Sequence, residues 1–196
     1  MTFIKTTPVE EAAGAVAEMY EADRAVAGHV RNLAMAFSVA PEVYAAWFQL
    51  NASIKARMDL RRYELATLAA ARRLHSSYCS LAHGSVLLGQ FLDGESLQAV
   101  MADHRSAGLD AVDVAIMDLA DKVAADATSV TDADIDRLRE HGLSDSEIFD
   151  VVAAAAARCF FSKLLDGLGV QPDARFAGLE PGVREALTVG REIAPA

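Results

Sequence analysis

The stretch HSSYCSLAH, residues 75–83, gathers the side chains best able to do chemistry. Cys79 stands four residues after His75 and four before His83, with Ser76 three residues ahead of it. A thiol attacks as its thiolate, and a helix N-terminus, a nearby cation or an adjacent proton acceptor favours that form. A break near His75 to Ser77 would place Cys79 in the first turn of a helix, at the positive end of its dipole. His83, four residues on, shares that face and could take the thiol proton directly or through a water. Glu64 is the natural third member, because a carboxylate beside an imidazole orients it. Along one straight helix, fifteen residues would hold Glu64 and Cys79 about 22 Å apart. A tight hairpin at residue 75 would not join those two either, so crossing helices or a second subunit must.

The same residues admit other readings. A lone cysteine in an alanine-rich helical chain can be an inert apolar filler. His75, Cys79 and His83 also form an i, i+4, i+8 row that could hold a metal with Glu64 as fourth ligand. If the helix begins near Ser76, however, His75 falls outside it and the row is broken, so no metal is assigned. Cys159, beside Phe160 and Phe161 in alanine-rich sequence, reads as buried packing. His29, His104 and His141 sit in turn-like or polar contexts and read as solvent-exposed. No nucleophile elbow of the G-x-S-x-G kind is present.

The elements that must position this site are helical. Alanine is abundant, strand-forming clusters are scarce, and Pro8, Pro41, Pro172, Pro181 and Pro195 fall near element ends, so the chain is expected to be all-α. Pro8 and the acidic run after it predict a helix ending near Gly28. Pro41 opens a second helix on which Val43, Trp47 and Leu50 form one apolar stripe, read as core. Asp59 is a plausible N-cap for DLRRYELATLAAARRL, and Ser76 or Ser77 for the helix after it. Further helices follow in ESLQAVMADH and AVDVAIMDLADKVAAD. Thr131 with Asp134, and Ser144 with Glu147, read as capping boxes, the second launching a long helix. The part after Pro172 reads as loop with one short helix. Sliding the chain by 83 residues sets Glu64 on Glu147 and Cys79 on Ser162, a faint echo consistent with two related half-domains.

The 196 residues suit one domain: N-terminal helices to residue 58, motif helices over 59–92, a second half over 93–175 and a tail over 176–196. A formal net charge of −10 gives a surface that would repel nucleic acid and anionic lipid. The opening MTFIKTTPVEEAAG does not read as a leader, and the most apolar run, VVAAAAARCFF, is short for a bilayer and contains Arg158. A cytoplasmic protein with small-molecule or protein partners is expected, and its two cysteines, eighty residues apart, are expected to be reduced.

RRYELATLAAARRLHSSYCSLAHG resembles the carboxymuconolactone decarboxylase and alkylhydroperoxidase D superfamily. That motif runs Glu, eleven residues, Cys, two residues, Cys, three residues, His. Here the positions are Glu64, Ser76, Cys79 and His83, with Tyr78 matching a tyrosine that often precedes the second cysteine. VRNLAMAFSVAPEVYAAW before it, and SVTDADIDRLREHGLSDSEIFDVV and KLLDGLGV after it, resemble the peroxidase-related branch, so the likeness covers most of the chain.

The resemblance implies an all-α bundle of the alkylhydroperoxidase D type that assembles as a homo-oligomer, a dimer, trimer or hexamer. Redox members use two cysteines to reduce a peroxide or disulfide, and need no cofactor. By that analogy Cys79 is the nucleophile, His83 the proton relay and Glu64 the ultimate base, with Tyr78 and His75 near the site. Ser76 departs from the pattern, because a hydroxyl cannot form the intramolecular disulfide. A sulfenic acid on Cys79 would need an outside thiol or another protein cysteine, for which Cys159 is the candidate. The expectation is therefore a single-thiol peroxide or disulfide reductase. The alternatives are an acid–base enzyme acting on a small carboxylated ring, and a degenerate family member with a binding role.

Overall fold

The structure is a computed structural model that describes residues 2–195, and among these it contains ten α-helices, four short 3-10 turns and no strand. The helices are α1 (Ala15–Ala27), α2 (Asn32–Ala36), α3 (Pro41–Lys55), α4 (Leu60–Arg73), α5 (Ser77–Gln90), α6 (Gly94–Asp103), α7 (Ala111–Asp126), α8 (Asp132–Glu140), α9 (Asp145–Gly167) and α10 (Pro181–Leu187). The all-α architecture expected from composition is the one observed.

The helix α4 packs against α5, α7 and α9. Its start is fixed by Asp59, whose carboxylate accepts from the Arg62 amide at 3.0 Å. Every residue from Tyr63 to Ala71 is buried, and Ala66, Ala69, Ala70 and Ala71 keep that surface low enough for three helices to approach. Leu65 and Leu68 are fully buried among Ile116, Met117 and Leu119 of α7, each leucine contributing roughly 1.5–3 kcal/mol. A second cluster joins α1, α2, α3 and the C-terminal half of α9 around Trp47, Phe37 and Phe161, and Tyr78 and Cys79 belong to it.

α4 ends in a Schellman motif: the Ser76 amide donates to the Ala71 carbonyl and the His75 amide to that of Arg72. His75 occupies the left-handed position, with φ of 53°. The chain then reverses and α5 begins at Ser77. The C-terminal segment locks this turn, because the Gly190 amide donates to Ser77 Oγ at 2.7 Å.

Both predicted capping boxes are present, Thr131 with Asp134 and Ser144 with Glu147, and α9 runs for 23 residues from the second. Several expectations need correction. The helix expected from Pro8 onward is a 3-10 turn over Val9–Glu11, a break at Gly14 and only then α1, because Gly14 adopts a positive φ that helix cannot continue through. Of the stripe on α3, Trp47 is core, but Val43 and Leu50 are 39% and 51% exposed, because α9 reaches that side only through Ala157 and Phe160 and leaves an open groove beside them. His104 is buried, not exposed: Arg72 Nη2 bonds its Nδ1 at 3.0 Å and Asp118 its Nε2 at 2.8 Å, so both ring nitrogens are satisfied inside. The part after Pro172 is loop, a 3-10 turn and α10, whose Val183 and Leu187 are buried.

Candidate functional site

The α4–α5 reversal sets two successive helices antiparallel. His83 in the second turn of α5 thereby meets Glu64 near the start of α4. His83 Nδ1 lies 2.5 Å from Glu64 Oε2, and Lys55 Nζ at the end of α3 donates to Glu64 Oε1 at 2.9 Å. The turn thus joins Glu64 to His83 within one chain, while Glu64 and Cys79, the pair expected to need crossing helices or a second subunit, share no hydrogen bond: Glu64 bonds His83 and Lys55, and Cys79 bonds Arg158. Glu64 is 1% exposed. Burial alone would raise its carboxyl, but the hydrogen bond and charge of His83, with those of Lys55, outweigh burial and hold it below the usual carboxylate range.

The His83 imidazole is pushed down to about 4, first by burial and then by the nearby Arg158 charge, against the opposing pull of Glu64. It is therefore neutral at pH 7. Pairing with an ionised Glu64 assigns the ring proton to Nδ1, which leaves the Nε2 lone pair as an acceptor. Glu64, His83 and Lys55 form a chain in which a carboxylate fixes the tautomer of a base and a surface lysine balances the carboxylate.

Cys79 is the third residue of α5 and 1% exposed. Its Sγ lies 3.6 Å from Arg158 Nη1 of α9, which donates to it. The second guanidinium nitrogen, Nη2, donates to the Tyr63 hydroxyl at 3.5 Å, and that hydroxyl donates to Asn51 Oδ1 at 2.7 Å. Arg158 is 4% exposed and makes no ion pair with any carboxylate among the described residues. Its charge is kept because, although burial works against it, the Cys79 sulfur and the Tyr63 oxygen outweigh burial.

Cys79, His83 and Arg158 line one cavity of about 130 Å³, which Trp47, Phe48 and Phe161 wall on its aromatic side. Trp47 and Phe161 stack with centroids 4.5 Å apart, and the Arg158 guanidinium lies 5.6 Å and 5.5 Å from their respective rings. Arg31 also reaches the cavity, but Asp23 holds it through Nε at 2.8 Å, and Tyr44 bonds the same carboxylate. A roomier groove between α1 and α3 is lined by Met19, Ala22, Ala45 and Phe48 and carries no nucleophile.

Of the residues singled out from sequence, Cys79, His83 and Tyr78 come together on the cavity wall and Glu64 stands behind His83. The Tyr78 hydroxyl donates to Asp173 and accepts from the Leu33 amide at 3.4 Å, so its polar end is occupied in bracing the fold. Ser76 is the N-cap residue of α5 but makes no side-chain cap. It is fully buried, and its hydroxyl makes no hydrogen bond of good geometry, although it lies close enough to Asp166 to oppose the upward push of burial on that carboxyl. His75 is exposed on the turn outside α5, which breaks the helical row with Cys79 and His83. Among the described residues no group of three or more His, Cys, Asp or Glu is arranged to hold a metal. Cys159 is a free thiol, half-buried and pushed up by burial, and is not on the cavity wall. Arg158, Lys55, Tyr63 and Trp47 were not foreseen as site residues. The available signal was Arg158 itself, a charge interrupting the apolar run VVAAAAARCFF.

No helix among the described residues is long and apolar enough to cross a membrane. No family model and no curated protein matches the chain. Solved structures do. An uncharacterized peroxidase-related protein from Ralstonia eutropha JMP134, described as an alkylhydroperoxidase AhpD core, superposes with a TM-score of 0.80 at 21% identity, covering 89% of this chain and 94% of that one. An uncharacterized peroxidase-related protein from Silicibacter sp. TM1040 gives 0.75 at 21% identity, over 89% and 91% of the two chains. The debrominase Bmp8, as a cysteine-to-alanine variant in complex with 2,3,4-tribromopyrrole, gives 0.73 at 12% identity, over 95% and 98%. The fold is thus that of the alkylhydroperoxidase D core, as the motif's resemblance implied.

Proposed function

We propose that this chain is a thiol oxidoreductase of the peroxidase-related alkylhydroperoxidase D type, working through Cys79 alone. The observation that carries this is the contact between Cys79 Sγ and the buried guanidinium of Arg158, a cation that pairs with no carboxylate among the described residues. An unpaired buried charge is costly, and a sulfur anion is the group placed to offset it. In the proposed step, Nε2 of His83 takes the Cys79 proton. The thiolate then attacks the distal oxygen of a hydroperoxide, so that an S–O bond forms and the O–O bond breaks. Sulfur is oxidised to the sulfenic acid, and the departing alkoxide takes the proton from His83. Ser76 cannot supply the resolving sulfur, so an outside thiol condenses with the sulfenic acid, releasing water. A second thiol then exchanges with the mixed disulfide, releasing Cys79 and the oxidised donor.

The test is peroxide consumption by the purified protein with excess small-molecule thiol. Cys79→Ala should abolish it and Cys159→Ala should leave it intact. Wild-type turnover no faster than buffer would sink the reading, and loss of activity in both variants would reinstate Cys159 as the second sulfur. The reading also carries a homo-oligomer of cytoplasmic location, in which a second copy would cover the exposed Val43, Leu50 and Phe160.

One observation favours a second reading, in which a small halogenated ring takes the place of the peroxide. The aromatic wall of Trp47, Phe48 and Phe161 suits a flat molecule, and a structural neighbour is a debrominase captured with a brominated pyrrole. Bromide release from a bromopyrrole in the presence of thiol, compared with peroxide consumption, separates the two.

A further inference from the structure

Arg158 has more donors than the site uses. Of its five N–H groups, one reaches Cys79 Sγ at 3.6 Å and one the Tyr63 hydroxyl at a long 3.5 Å, while Nε is buried with no partner among the described residues. The other cationic side chain at the cavity, Arg31, is neutralised by Asp23. The cavity therefore presents one cation that no carboxylate pairs with among the described residues, beside an aromatic wall, with the guanidinium packed against the stacked pair of Trp47 and Phe161.

The geometry points to a binding site for a small planar aromatic anion, an arene carboxylate in chemical class. The carboxylate pairs with Arg158 and the ring lies along Trp47, Phe48 and Phe161. A guanidinium matches a carboxylate with two parallel N–H donors, and such a pair is strongest where water is excluded. The cavity of about 130 Å³ is of the order that holds a single five- or six-membered ring, and its open side leaves room for a ring's far edge to reach solvent. Peroxide reduction does not require this preference. It adds to the proposed function a ligand whose charge competes with the Cys79 thiolate for the same guanidinium.

Trp47 is the chain's one tryptophan and forms part of the cavity wall, so intrinsic fluorescence reports occupancy without any turnover. The experiment titrates the full-length protein with benzoate and, separately, with benzamide, its neutral counterpart of the same shape. Benzoate should give a saturable change with an affinity at least tenfold above that of benzamide, and Arg158→Met should bring benzoate down to the benzamide level. Cys79→Ala should retain or tighten benzoate binding, because the competing sulfur is gone. In the wild type, benzoate should slow iodoacetamide alkylation of Cys79, followed by peptide mass, while benzamide does not. Equal affinities for the two probes, no saturable response to benzoate, or benzoate binding unchanged in a folded Arg158→Met each overturn the site. Should Arg158→Met fail to fold, the benzoate-to-benzamide ratio on the wild type decides alone. Loss of peroxide activity with anion binding intact would sink the proposed function and leave this site standing.

Discussion

His83 of α5 and Glu64 of α4 are nineteen residues apart in sequence and share a hydrogen bond of 2.5 Å, with Lys55 closing the far side of the carboxylate. The pair fixes which imidazole nitrogen is free, and it also makes stability depend on pH. His83 is lowered from its ordinary value to about 4, so between those values the unfolded chain binds a proton that the folded chain refuses. Stability from this group is complete at neutral pH and is lost as pH falls through 6.5 towards 4. Glu64, also lowered, adds a loss of the same sign at more acid pH. Between pH 7 and pH 5 the His83 share amounts to about 2 kcal/mol. Urea midpoints at the two pH values should differ accordingly in the wild type, and His83→Gln should remove most of that difference.

Ser76 precedes Cys79 by three residues at the opening of α5 and is fully buried, its hydroxyl making no hydrogen bond of good geometry among the described residues. A thiol there gives up only the weak approach to Asp166 and supplies the sulfur that the proposed single-thiol reaction takes from outside. Ser76→Cys should therefore form an intramolecular disulfide with Cys79 on treatment with one equivalent of peroxide. The protein would lose two hydrogens in mass and two alkylatable thiols, and its folded stability would stay within about 1 kcal/mol of wild type. Persistence of a sulfenic acid on Cys79 would show that positions 76 and 79 cannot close.

Helix ends proved legible because caps are local: Asp59, Thr131 with Asp134, and Ser144 with Glu147 each satisfy amides within three residues. The meeting of Cys79 and His83 on one cavity wall was legible for the same reason, since they are neighbours on one helix. Arg158 was not, because it reaches Cys79 across 79 residues of sequence and no local period encodes that meeting. Periodicity likewise placed Val43 and Leu50 with Trp47 on one stripe, but it cannot say which part of a stripe the rest of the chain covers. His104 looked exposed because its neighbours are polar. The groups that let it be buried, Arg72 and Asp118, lie 32 and 14 residues away.

Arg158 is a buried cation held by aromatic contacts and two hydrogen bonds, neither of them to a carboxylate, an arrangement that stability alone would not select. A methionine keeps an unbranched stem against the stacked pair of Trp47 and Phe161 and removes the desolvated charge. Arg158→Met should be no less stable than wild type, and by thermal unfolding up to a few kcal/mol more stable. Its Cys79 should react with iodoacetamide at least tenfold more slowly at pH 7. A variant that is both stable and fully reactive would remove Arg158 from the chemistry.

The turn between α4 and α5 carries a further consequence. His75 is exposed with φ of 53°, a conformation that costs a residue with a Cβ roughly 1–2 kcal/mol and glycine nothing sterically. His75→Gly should raise stability by about 0.5–1 kcal/mol, after the added flexibility of the unfolded chain is subtracted, and leave thiol-dependent peroxide consumption unchanged. The opposite effect is expected one layer out. Gly190 crosses the turn so closely that a Cβ there would collide with the His75 carbonyl oxygen, while its amide is bonded to Ser77 Oγ. Gly190→Ala must therefore displace the C-terminal segment or the turn, and it should lower the urea midpoint by the equivalent of 2 kcal/mol or more, on the order of a lost buried hydrogen bond with added steric strain. Because Ser77 opens the helix that carries Cys79, the same variant should also reduce Cys79 reactivity. Unchanged stability and reactivity in Gly190→Ala would mean that this strap does not set the start of α5.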